Sequence, residues 1–577
     1  MIMRSKTVTG AIAAAAAVLM LLSGCGATSA DTAQQSGNVE DIANDTYTAQ
    51  DPSKSPELAN KRTDTLVLQM GKPGGILLPN FYSNGWDGNA TQPIFAQLVN
   101  IDMNGNPLPD LAESWEISSD NLTYTFHLPD NLKFEDGSPL TADDVAFTLT
   151  LFNDPGYTVG DVDFTTINIK GAKDYQDGKA DSISGIHVVD PKTITIETET
   201  PNPNALYTLG GPVLSKAYYG KGYQRGNLDY LKELYAKPLG TGPYKLAKYV
   251  EGQEIDYVAN ENYYDGAPNV KNLIFKVVTS SSTSLQNFQN GEMDFYGTTP
   301  SADAIEQLQS LGFASYKIST SSTFSRIIIN NKKPYFSDKR VRQALYYGIN
   351  RQQIVDVVDN GYGQVANVYA SPNMWSYTED GINKYEYNKD KAAQLLDEAG
   401  WKVGADGVRE KDGTKFKITY LATDSDSKEI PILADNFKSL NIDFSSETLD
   451  VNTIFSRLPK GDYDLVQFST PVLLDPNDAV QSYASDDPEV NYSGYHNDEV
   501  TKLIQEGVST SDREKRKETY KKLYQALNDD PPVLLLDYSK GISAWNARVQ
   551  GGENIRIGDS DMIMKLAKVK IGPISAK

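Results

Sequence analysis

Over residues 62–577, short segments with an apolar side chain at every second position alternate with longer segments of helical period, and no interval repeats. Solenoids and propellers need a fixed repeat, so this irregular alternation points to a mixed α/β body. Residues 66–70 read as a buried opening strand, and Leu122, Tyr124, Phe126 and Leu128 alternate with Thr123, Thr125 and His127 in a strand with one wet face. Thr141 and Asp144 have the spacing that caps a helix carrying Val145 and Leu149. Residues 186–189 and 193–197 flank Asp190-Pro191-Lys192, a hairpin whose turn the proline fixes. Further helices are predicted from Ser337, with Val341, Ala344, Leu345 and Gly348 on one face, after an Asn350 cap, and over 388–399 ahead of Gly400. Ser511 and Glu514 are expected to box the start of a helix that buries Tyr520, Leu523, Tyr524 and Leu527. Pro531-Pro532 stops it, and 533–536 reads as a strand.

Ahead of this body, Arg4 and Lys6 precede an apolar run at 11–22, too short to cross about 30 Å of hydrocarbon but proportioned like a signal-peptide core. The run ends in Leu22-Ser23-Gly24-Cys25, which resembles the lipobox of bacterial lipoproteins, where the cysteine is lipidated and the chain is cut just before it. An ordinary secretory signal with an incidental cysteine is the alternative. Cys25 is therefore the expected lipid attachment point at the end of a signal peptide over 1–25, and more than one acyl chain would anchor the protein firmly. Residues 26–61 are rich in Ala, Ser, Thr, Asp, Asn and Gln without hydrophobic period, which predicts a disordered tether spanning roughly 30–35 Å.

The 54 basic and 76 acidic residues give a net charge of -22. Cleavage after residue 24 or 25 removes Arg4 and Lys6 and no acid, leaving 52 against 76, or -24. With no clustered Lys/Arg run, nucleic acid is excluded as a partner and anionic lipid would repel the exported part. One cysteine and three histidines exclude disulfide frameworks, Cys-rich zinc sites and most His-based catalysis. The chain has no GxxxxGK[ST] loop, HExxH, G-x-S-x-G or complete EF-hand loop, and Gly240-Thr241-Gly242-Pro243 reads as a turn because Pro243 lacks the amide a phosphate cradle needs. The acid pairs Asp143-Asp144 and Asp486-Asp487 read as solvated caps or loops; a secreted hydrolase using such a pair is the enzyme-class alternative. No catalytic group, metal or cofactor is expected. The 34 tyrosines against 18 phenylalanines suit clefts that stack on polar organic ligands and hydrogen-bond them, and Phe81, Tyr82 and Trp86 sit in a Gly/Asn-rich loop after the opening strand.

Pro109-Asp110-Leu111-Ala112-Glu113-Ser114-Trp115 with the following stretch to Val145, Gly240-Thr241-Gly242-Pro243-Tyr244 with Asn262-Tyr263-Tyr264, Asn290-Gly291-Glu292-Met293-Asp294, and residues 338–356 follow one another along the chain. In this order they resemble the extracellular solute-binding proteins of family 5, which feed ATP-binding-cassette importers of peptides and nickel. The resemblance implies a two-lobed α/β fold of the periplasmic-binding-protein kind, with an inserted domain and the ligand cleft between the lobes. It places the first lobe over 62–107, 206–325 and 533–577, the inserted domain over 108–205, and the second lobe over 326–532, with the return crossing at Pro531-Pro532. Family members that grip a peptide's free amino group carry an aspartate three residues before a late Asp-Pro pair. Here the pair is Asp475-Pro476, and that position is Val472, which cannot balance an ammonium. Longer or modified peptides and oligosaccharide-like solutes therefore stay open, with Asp475 either replacing the missing acid or holding its loop. The candidate ligand contacts are Tyr82, Trp86 and Asn89 from the first lobe and Trp375, Thr470 and Asp475 from the second, while the signature run around Trp115 is expected to stabilise the inserted domain and not to form the site. The resemblance implies a monomer, lipid-anchored on the extracellular face of a bacterial cytoplasmic membrane, that captures an oligopeptide or other polar solute for an ABC permease. A peptide sensor acting on a membrane kinase is a further alternative.

Overall fold

Ile327, Ile328 and Ile329 stand in succession on the strand Ser325–Ile329, and all are buried, which requires cover on both faces of their sheet. That sheet is five-stranded, in the spatial order Asp443–Thr448, Lys417–Ala422, Leu465–Ser469, Ser325–Ile329, Val533–Leu535. Ile327 and Ile329 face a core with Leu345, Tyr420 and Phe437, and Ile328 faces the opposite core with Tyr369, Val466 and Leu523. This is the second lobe. Residues 46–577 of this computed structural model are described, except 83, 103, 158–161, 163, 279, 471–474, 556–560 and 573–577. The expected export signal, Cys25 and residues 26–45 lie outside the described residues, as does Val472.

The first lobe has two four-stranded sheets. In one, Thr65–Met70 pairs in parallel with Asn272–Val277, followed by Glu254–Ala259 and Tyr244–Val250. The other runs Thr46–Tyr47, Ala314–Thr320, Lys540–Asn546, Phe295–Thr298. The fully buried Asp294 joins them: its carboxylate accepts from Val67 N at 2.9 Å and from Arg548 Nε at 2.8 Å, with Arg62 at 3.2 Å. Between these elements the chain builds the inserted domain, a sheet of Ser114–Ile117, Thr123–His127, Thr193–Glu197 and Ile186–Asp190. The helix Ala142–Phe152 covers it, capped reciprocally by Thr141 and Asp144. Leu66, Phe126 and Ile196 belong to one continuous core, so the inserted domain is fused to the first lobe by packing. Gly240 shows how tightly that core is closed, since a Cβ there would lie 2.0 Å from Ile94 O.

The lobes are joined through residues 321–324 and Ser539, and these two crossings touch, with Ser321 N donating to Ser539 O at 2.9 Å. Asn350 and Asn388 cap their helices, and Gly400 adopts φ +90° after the second of these. Three expectations are corrected. The tether over 26–61 does not extend through 46–61. There Thr46–Tyr47 pairs with Lys317 and Tyr316, Tyr47 stacks on Tyr316 at 4.9 Å, and Ala59 is fully buried against Gly291. The helix Arg513–Asp529 is capped by Asp512 and not by Ser511, because the Asp512 carboxylate accepts from both Glu514 N and Lys515 N. The return crossing lies past Pro531-Pro532, since Val533–Leu535 pairs with Ser325–Ile329 and only Lys540–Asn546 joins the first lobe.

Candidate functional site

Tyr207 stands on the short helix Ala205–Leu209, which follows Pro201-Asn202-Pro203, and its side chain lines two cavities. The first, of about 260 Å3, lies in the first lobe and is walled by Asn80, Tyr82, Gln92, Phe95 and Thr208 beside Tyr207. Asn80 is held left-handed at φ 65°, a conformation that asparagine tolerates, and its carbonyl accepts from Tyr157 Oη at 2.7 Å. Gln92 Oε1 is buried in this cavity without a hydrogen-bond partner.

The second cavity, of about 250 Å3, opens between lobes: Trp115, Tyr124 and Asn202 face Trp375, Asp475 and Arg513. Arg513 and Arg516 lie over the Trp375 ring at 5.3 Å and 5.1 Å from its centroid. Arg516 is buried and donates to Asp475 Oδ1 at 2.6 Å, so the two charges neutralise each other. Asp475 Oδ1 also accepts from Asn477 N at 2.9 Å, and Asp475 N donates to Asp478 Oδ2 at 2.9 Å. Arg513 makes no ion pair among the described residues; it donates to Gly105 O and Asn106 Oδ1 across the lobes, and Tyr207 Oη donates to the same Gly105 O at 3.0 Å. Asn204 Nδ2 donates to Asp478 Oδ1 at 2.9 Å alongside. Besides the hinge and the hydrogen bond from Asn360 Nδ2 to Pro300 O at 3.0 Å, the lobes meet at this lip, where the second cavity opens.

The expected residues divide. Tyr82 lines the first cavity, and Trp375 and Asp475 line the second. Trp86 and Asn89 line neither: both sit on the helix Gly85–Thr91, where Trp86 is 42% exposed and lays its indole against Gly71. Thr470 is buried outside both, with its hydroxyl unpartnered. Asp475 holds its own loop and Arg516, so of its two expected duties the structure displays the second. The signature run was expected to stay out of the site, yet Trp115 and Tyr124 wall the second cavity, because the outer end of the inserted sheet abuts the second lobe. Tyr207, Gln92, Phe95 and Arg513 line the cavities without being among the expected contacts. The Pro201-Asn202-Pro203 run ahead of Tyr207 was the available signal, since prolines stiffen a chain that must present side chains outside regular structure.

The sequence model described as "Bacterial extracellular solute-binding proteins, family 5 Middle" matches residues 106–491. The oligopeptide-binding protein AppA of Bacillus subtilis is 28% identical over 509 residues, covering 85% of this chain and 88% of its own. The solved structure of that protein in complex with a nonapeptide superposes with a TM-score of 0.71 at 25% identity, over 88% of this chain and 99% of that one. The ABC transporter substrate binding protein CtaP of Listeria monocytogenes does so with a TM-score of 0.75 at 25% identity, over the same shares. With a family match over most of its length and a two-lobed α/β architecture shared with solved solute-binding proteins, the chain belongs to the bacterial extracellular solute-binding proteins, family 5, a family of binding proteins.

Proposed function

We propose that this protein is a lipid-anchored extracellular receptor that captures oligopeptides and passes them to an ABC importer. The observation that carries the reading is the pair of cavities meeting at Tyr207, with the buried, unpartnered Gln92 Oε1 in one of them. Two chambers in series suit a chain molecule better than a compact solute, and a buried acceptor without a donor suits a ligand rich in N–H groups such as a peptide backbone. Tyr82 and Phe95 add flat apolar faces for side chains. The names of the relatives support the same ligand class, and Cys25 after the short apolar run supports the anchor. No helix among the described residues is long and apolar enough to cross a membrane.

Native mass spectrometry of the protein purified from its host tests both parts. Peptide masses in the complex and an acylated Cys25 as the first residue are expected; bound glycans alone would reject the peptide assignment, and an unmodified Cys25 would reject the anchor. A thermal-shift screen with peptide pools supplements it, because ligand at about a hundred times its Kd adds about 2.7 kcal/mol of stability.

A further inference from the structure

Two arginines share one indole and one carboxylate. Arg513 and Arg516 both lie over the Trp375 ring, and all three side chains line the second cavity. Asp475 is the acid of that wall among the described residues, and Arg516 already occupies it at 2.6 Å, where both partners are almost wholly buried. Arg513 is half-buried and has no such partner among the described residues: its two terminal nitrogens donate to Asn106 Oδ1 and Gly105 O, both neutral. Neighbouring acids are engaged elsewhere. Asp512 accepts from Glu514 N and Lys515 N and pairs with Lys515 Nζ at 3.3 Å, and Asp478 accepts from Asn204 Nδ2 and Asp475 N. The described wall of the cavity thus holds two cations and one anion, in a chain with 76 acidic residues against 54 basic ones.

The first cavity differs in kind. No Asp, Glu, Lys, Arg or His stands among its described lining residues, so an ionised ligand group would lose its water there without a counter-charge. The two cavities meet at Tyr207, whose hydroxyl donates to the same Gly105 O that Arg513 holds. A guanidinium carries five N–H donors in a fixed fork that matches a planar carboxylate, and the hydrogen bonds to Gly105 and Asn106 use two of them. Trp375 against its face fixes the plane and keeps water from that side, which strengthens a charge-assisted hydrogen bond made at the edge. We infer that Arg513 anchors a carboxylate of the captured peptide in the second cavity, while an uncharged stretch of the same ligand occupies the first. The inference rests on the peptide reading above and narrows it to peptides with an uncharged segment next to a carboxylate, either the C-terminus or an acidic side chain.

The test is calorimetric binding to the full chain of three matched pools of short peptides: free C-terminal acids, their C-terminal carboxamides, and free acids in which Asn and Gln replace Asp and Glu. The wild type is expected to bind the first pool about ten-fold more tightly than one of the two neutralised pools. Loss in the carboxamides identifies the C-terminus as the source, and loss in the Asn/Gln pool identifies side chains. Because Arg513 also bridges the lobes, the readout is the ratio between pools and not the affinity for any one of them. Arg513→Gln is expected to bring that ratio to about one, Arg513→Lys to keep part of it, and Asn204→Ala, which alters the lip alone, to weaken all pools alike and leave the ratio as in the wild type. Equal binding of all pools by the wild type, or a ratio unchanged in Arg513→Gln, would overturn the anchor and leave the peptide reading standing. Failure of every pool to bind the wild type would overturn the peptide reading and the anchor with it.

Discussion

Asp475 cannot take a ligand's ammonium group without releasing Arg516, whose guanidinium it holds at 2.6 Å in a site where both side chains are almost wholly buried. Taking away one partner of such a pair leaves an uncompensated buried charge, and this costs more than the pair contributes when intact. Asp475→Asn is therefore expected to destabilise the protein by about 3 kcal/mol in urea titration, and adding Arg516→Met should recover most of the loss. Full destabilisation in the double variant would show that the loop, and not the charge, sets the cost. Asp475 was legible as a candidate because the family resemblance sets an acid beside a late Asp-Pro pair, which here is Asp475-Pro476. Its partner was not, because Arg516 lies 41 positions further on, and no spacing rule connects a loop to the first turns of a remote helix. The same limit applies to Tyr207, whose direction is set by a helix of five residues that is too short for a periodic pattern.

Between residue and lobe lies the hinge, and here two acids are buried together. Asp537 stands on the strand Asp537–Tyr538, which pairs with Gln364–Val365 next to the return crossing, and Asp359 ends the helix Arg351–Val358. Burial and the neighbouring Asp359 carboxylate push Asp537 up to about 7, and burial raises Asp359 too. A carboxyl raised on folding contributes stability that is fully present below the unfolded range near 4 and is lost as pH rises through about 7. The melting temperature is thus expected to fall from about pH 5 to about pH 8 more steeply in the wild type than in Asp537→Asn, with the variant the more stable at the upper end. Parallel profiles would remove the pair from the pH response. Nothing in the sequence hinted at this pair, since the two acids meet only through the fold. Caps were legible, because Thr141, Asn350 and Asn388 act on amides two or three residues away. The cap at Ser511 was misplaced by one residue where a stronger acceptor, Asp512, follows it. Residues 46–61 read as a tether because they dock through backbone pairing and small side chains such as Ala49 and Ala59, which carry no hydrophobic period. The strand after Pro531-Pro532 was correctly foreseen but given to the wrong lobe, for a proline ends a helix without saying which sheet receives the next strand.

At the scale of the molecule, two lobes hinged at residues 321–324 and Ser539 close on each other through very few groups. On the lip these are Arg513 to Gly105 and Asn106, and Asn204 to Asp478 at 2.9 Å. A net contribution of about 1 kcal/mol for each such hydrogen bond makes the lip too weak to hold the lobes shut alone, so contacts made by ligand with both sides decide the equilibrium. Asn204 lines neither cavity, which makes it the cleaner probe of closure; Arg513 also faces ligand space. Asn204→Ala is expected to raise the radius of gyration of ligand-free protein in X-ray scattering, leave the liganded radius unchanged, and weaken peptide binding by about two-fold to ten-fold. Weaker binding arises because part of the ligand's interaction energy must then draw shut a cleft that the lip had already biased toward closure. An unchanged ligand-free radius together with unchanged affinity would mean that the lip contact follows closure without favouring it, and that the hinge alone sets the resting state.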